Sequence, residues 1–184
     1  STIDLLGSGT IGSGAINSLT LRAAAIRGFQ NGGGEVRILA DTIRLDNQPG
    51  GRVSAAGPAL SGVLSFQSRD LQLGKGALAI QGFEKTRLDA SRNLQTTADG
   101  ALAVAGDLRL ATPLIDSTVP AIYRIEALGN LVASGSGAAR VDAGGLGSSL
   151  ALVGASIDVD TTFALPGGEI SLHALSGNLT VSGL

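Results

Sequence analysis

A four-residue word recurs along the chain: SLTL at 18, TIRL at 42, DLQL at 70, NLQT at 93, DLRL at 107, NLVA at 130, SIDV at 156 and NLTV at 178. Five of the seven steps between words lie between 22 and 26 residues; one, from Asn93 to Asp107, is only 14. A short unit returning at a nearly fixed interval cannot bury its apolar side alone, but stacked copies make one continuous core.

The columns of the word carry physical information. Position two is always Leu or Ile, and position four is Leu or Val in six of eight words. Both columns are expected to point inward. Position one is Ser18, Thr42, Asp70, Asn93, Asp107, Asn130, Ser156 and Asn178. Such small polar side chains bond to backbone at turns, and Asn-type residues in register form side-chain ladders. Position three, which includes Arg44, Arg109, Val132, Asp158 and Thr180, is expected to face solvent.

Between the words, apolar and polar residues alternate. GEVRILADTIRL (34–45) places Val36, Ile38, Ile43 and Leu45 on one side, and GVLSFQSRDLQL (62–73) does the same with Leu64, Phe66, Leu71 and Leu73. GALAVAGDLRL (100–110) and SSLALVGASIDV (148–159) repeat the form. Period two marks strands, broken by tight turns. Only LRAAAIRGF (21–29) and PAIYRIEAL (120–128) read as short helices. Apolar residues are 43% of the chain but aromatics only 3%, with no Trp, Met or Cys, which suits a narrow interior of branched aliphatics. The 28 glycines are about twice the usual share and imply many turns.

These features predict an all-β chain over residues 1–184 in a single β-solenoid of about 22–26 residues per coil. About eight coils at ~4.8 Å spacing would make a rod on the order of 40 Å long. A sandwich of short antiparallel strands also fits the strand–break–strand units; the constancy of the columns favours the solenoid.

The words GNLVASG (129–135), GNLTVSG (177–183) and NSLTLRA (17–23), spaced by GALAVAG-type strands, resemble the shaft repeats of filamentous haemagglutinin-type exoproteins. The resemblance covers most of the chain. It implies a right-handed parallel β-helix from a large bacterial protein that leaves the cell by two-partner secretion. It further implies an outer-membrane secretion partner, a place at the bacterial cell surface, and contact with a host or neighbouring cell through regions outside this segment. No Asn-Pro dipeptide of the family's secretion domain occurs, and no Arg-Gly-Asp triplet; the nearest is Arg27-Gly28-Phe29. The resemblance therefore points to shaft. The absence of Met, at residue 1 or elsewhere, is read as the mark of a segment from a longer product.

Several motifs invite chemistry. Gly7-Ser-Gly9-Thr-Ile-Gly12 has dinucleotide-loop spacing, but such a site needs a helix after the last Gly and an acid about 20 residues on. Asp41 comes 29 residues after Gly12, and NSLTLRA occupies the place of the helix. His173, the only His, is expected on the outer face of GEISLHA with no assignable partner. Asp158 and Asp160 lie ~7 Å apart on one outer face, near the spacing of an inverting carboxylate pair or a calcium site. Their column neighbours, Val132 and Thr180, add no second acid. Asn178-Leu-Thr180 matches a glycosylation acceptor inside a repeat strand.

Net charge is −2, with no basic stripe for nucleic acid and no apolar run long enough to cross a bilayer. The absence of Cys removes disulfides and thiolate metal sites. No catalytic, cofactor-binding or metal-ligating residue is assigned, and any ligand-binding residue is unknown. The expected role is mechanical: a shaft segment that projects a distal binding or toxin region. The alternatives are a carbohydrate-active β-helix enzyme and a glycan-binding solenoid module.

Overall fold

The computed structural model describes residues 1–47, 59–135 and 145–182, and no helix occurs among them. The strands follow one another around successive coils. The first coil holds β1 (Thr2–Leu6), β2 (Gly9–Gly12) and β3 (Ser18–Arg22); the second holds β4 (Ala25–Phe29), β5 (Glu35–Leu39) and β6 (Thr42–Asp46). Then come β7 (Val63–Leu73), β8 (Gly76–Gln81), β9 (Lys85–Thr96), β10 (Gly100–Val104), β11 (Asp107–Ala111) and β12 (Leu114–Ser117). The last are β13 (Ile122–Ala127), β14 (Leu131–Ser134), β15 (Ser149–Gly154), β16 (Ile157–Asp160), β17 (Thr162–Ala164), β18 (Glu169–Ala174) and β19 (Leu179–Val181).

Every strand pairing is parallel, which makes a β-solenoid of about seven turns of roughly 23 residues. The step is 22 residues from Thr86 to Leu108, 23 from Leu108 to Leu131 and 26 from Leu131 to Ile157. Three faces result. The first runs β1-β4-β8-β10-β13-β15-β18. The second runs β2-β5-β7-β9-β11-β14-β16-β19, using the leading halves of β7 and β9. The third runs β3-β6-β7-β9-β12-β17, using their trailing halves.

Inward columns carry the core. On the second face Ile38, Phe66, Leu88, Leu110, Ala133 and Val159 stack on successive coils, all buried. On the third, Ile43, Leu71, Leu94 and Ile115 do the same. β7 is one continuous strand rather than two strands and a break, with a register shift between Ser68 and Asp70 where it turns the corner. Phe66 and Leu71 are an odd number of residues apart, so the shift is what lets both halves face the core.

The two segments read as helices are strands. Residues 21–29 end β3 and form β4, and residues 120–128 contain β13. Their alanines suit a helix locally, but Ala23, Ala25 and Ile26 are buried in the stack, and Tyr123, Ile125 and Ala127 alternate inward on β13. Burial in a shared sheet outweighs local propensity here.

The recurring word divides between two faces. Ser18, Thr42, Asp70 and Asn93 form one column at the start of the third face. Asp107, Asn130, Ser156 and Asn178 lead into the second-face strands: Asn130 N donates to Asp107 Oδ1 at 2.8 Å, and Ser156 Oγ donates to Asn130 Oδ1 at 2.6 Å. The Asn178 carbonyl accepts from Ile157 N at 2.9 Å. The 14-residue step is where the series of words passes from one face to the other.

Among the described residues, two coils contribute no strand to one face. On the first face β4 pairs directly with β8, although β7 lies between them in sequence. On the third face β12 pairs directly with β17, although β14 lies between them. Side chains satisfy the backbone where the chain departs: Asn47 Nδ2 donates to the Ala77 carbonyl at 2.5 Å, and Asp46 Oδ1 accepts from Lys75 N at 3.1 Å. At the other departure Thr161 Oγ1 donates to the Thr112 carbonyl at 2.5 Å, and Ser148 Oγ to the Val119 carbonyl at 3.0 Å.

Candidate interaction surface

The outer side of the second face gathers the most chemically varied groups. Its first outward column is Thr10, Arg37, Ser65, Arg87, Arg109, Val132, Asp158 and Thr180, one residue per coil. Its second is Gly12, Leu39, Gln67, Asp89, Ala111, Ser134 and Asp160. The register thus confirms Val132 and Thr180 as the neighbours of Asp158. It also sets Arg87 and Arg109 side by side on adjacent coils.

Arg87 and Arg109 stand out by what they lack. The other arginines among the described residues each meet a carboxylate: Arg92 binds Asp70 through two bonds of 2.6 and 2.7 Å, and Arg69 reaches Asp41 at 2.9 Å. Arg27 holds Asp4, Arg37 holds Glu35, Arg124 holds Glu126, and Arg22 and Arg44 share Asp46. Arg109 instead donates to Ser134 Oγ at 3.4 Å, and Arg87 forms no hydrogen bond or ion pair among the described residues.

Shallow depressions run along this face. One of about 500 Å³ is lined by Ser91, Arg109, Ala111, Thr112, Ser134 and Asp160, among others. A second of about 310 Å³, lined by Gln67, Ser68 and Asp89, shares Ala90, Ser91 and Ala111 with the first, so the two adjoin. A third of about 300 Å³ lies between Lys85, Arg87, Asp107, Arg109 and Asn130. Burial pushes the Asp89 carboxyl up, against the smaller opposing pull of Arg87 and Arg109. The hydrogen bond from Arg37, helped by Ser65, holds Glu35 below its usual range.

Asp158 and Asp160 are exposed on β16, two residues apart on the same side. Asp89 and Asp160 share a column but stand three strand spacings apart, ~14 Å, beyond the reach of a carboxylate pair acting on one bond. Gly7 sits at φ +75° in the turn between β1 and β2, and Gly9–Gly12 is itself a strand. A strand in place of a helix N-terminus offers no phosphate cradle. Asp41 binds Arg69. His173 is exposed opposite Val153 and forms no side-chain bond among the described residues. Asn178 and Thr180 flank the strand start of β19 and are exposed.

The geometry defines the chain as a parallel β-solenoid with mixed charge on one face. Comparison with protein-family models, with curated proteins and with solved structures finds no match.

Proposed function

We propose that this chain is a structural shaft segment of a secreted bacterial surface adhesin of the filamentous haemagglutinin type. It projects a distal binding or toxin region and performs no catalysis itself. The observation that supports the reading most is the parallel stack of the second face, which runs unbroken from β2 to β19 and hands its apolar column from each coil to the next. Such a stack supplies reach and stiffness by adding coils. In this reading the parent leaves the cell through an outer-membrane secretion partner, and contact with a host or neighbouring cell belongs to other parts of the parent. A glycan-binding role is the second reading, favoured by the polar groups Gln67, Asp89, Ser91, Ser134 and Asp160 along two adjoining depressions.

Deletion tests both. Leu108 is in register with Leu131, so removing residues 108–130 joins equivalent points of neighbouring coils. Surface display and target-cell binding of the parent should survive, with reach shortened by ~5 Å. Removing only 108–119 should break the columns and abolish display. Normal display of the 108–130 deletion with loss of all binding would place the site within these coils and end the shaft reading.

A further inference from the structure

Arg109, Val132 and Asp158 occupy consecutive positions of one outward column. Arg109 feels Asp89 only at longer range and forms no ion pair, and the Asp158 and Asp160 side chains have no hydrogen bond or ion pair among the described residues. Two strand spacings, ~10 Å, separate Arg109 from Asp158 on the same coil stack. They are too far apart to pair with each other, yet they lie symmetrically about Val132.

That symmetry fits a second copy. From it we infer that the second face is a self-association surface, on which another molecule of this chain docks antiparallel about a two-fold axis through Val132. A two-fold axis along the strand direction turns the solenoid end for end and keeps each column facing itself. Arg109 then meets Asp158 of the partner subunit, and Asp158 meets the partner's Arg109, as an isologous contact requires. The second column places Ser134 on the axis and Ala111 opposite the partner's Asp160. These small side chains let the faces approach.

Charge selects this register over its neighbour. Sliding by half a step, with the axis midway between Arg109 and Val132, would pair Arg87 with the partner's Asp158 but would also put Asp89 opposite the partner's Asp160, and it would leave Arg109 facing the partner's Val132. Like charges in direct opposition disfavour that arrangement. With the axis at Val132, Asp89 faces the partner's Ser182 and Arg87 faces the partner's Thr180, which are neutral. The contact is polar and built on exposed pairs, so it is weak, and salt screens it. It goes beyond the shaft reading and does not depend on it.

Sedimentation velocity of the intact chain over a concentration series tests the inference. At low salt the wild type should show concentration-dependent dimers that dissociate as salt is raised. Arg109→Asp and Asp158→Arg, each alone, should weaken association at least tenfold. An equimolar mixture of the two single variants should associate again, as should the double variant Arg109→Asp/Asp158→Arg. That recovery also shows that the singles failed through charge and not through misfolding. A wild type that stays monomeric at low salt, or a double variant that does not recover, overturns the inference. So does binding of dextran sulfate through Arg87 and Arg109 without any self-association.

Discussion

The ring of Phe83 fills the place where a side chain on Gly28 would stand. A Cβ at Gly28 would come within 2.6 Å of Phe83 Cζ, and Phe83 is buried. Gly28→Ala is expected to cost about 1–3 kcal/mol by overpacking. Phe83→Leu alone should also cost stability, yet the pair Gly28→Ala/Phe83→Leu should lose less than the sum of the two. Chemical denaturation of the three variants measures the coupling.

Thr86 is the polar member of an inward column that also holds Leu64, Leu108 and Leu131. Its hydroxyl is buried and unpaired. Thr86→Val keeps the shape and removes the orphaned oxygen, so it should stabilise the chain by about 1 kcal/mol. A higher denaturation midpoint with an unchanged denaturant slope is the expected result.

Leu71 and Gln72 are neighbours in sequence on opposite sides of β7. Leu71→Asp buries an unpaired carboxylate in an aliphatic column and should unfold or aggregate the chain. Gln72→Asp sits beside Arg44 in the outward column and should change stability by only about half a kcal/mol. Circular dichroism and light scattering separate the two outcomes.

Asp89 gives a pH signature. Its carboxyl is pushed up in the folded chain, so the folded state binds more protons than the unfolded one between the two pKa values. Stability contributed by this group therefore falls as pH rises through that window. Asp89→Asn should melt higher than wild type at neutral pH, and the gap should close below pH ~3, where the group is protonated in both states. An unchanged gap across that range would show that desolvation of Asp89 is not its cause.

Much of the architecture was legible because period two and the apolar columns are properties of single coils. Val36, Ile38, Leu64 and Phe66 all face inward as alternation requires. The pairing of coils was legible only in part. The third position of the word already set Arg109, Val132, Asp158 and Thr180 in one column, as the register has them, but Arg87 belongs to no word and joins that column only through β9. The word series shows the same limit. Its position-one residues form two ladders because small polar side chains suit the start of a strand on either face. The helical reading of residues 21–29 failed because alanine is as compatible with a tight interior as with a helix.

Among the described residues, two coils lack a strand on one face, and this makes the three faces unequal in length. From β4 to β8 the first face advances one strand spacing, while the second advances two, from β5 through β7 to β9. From β12 to β17 the third face advances one, while the second again advances two, from β11 through β14 to β16. Only the second face, the one that carries Arg109 and Asp158, runs through every coil from β2 to β19. A molecule laid along the stack would meet each coil there in turn, whereas on the other two faces it would pass over a coil without touching a strand.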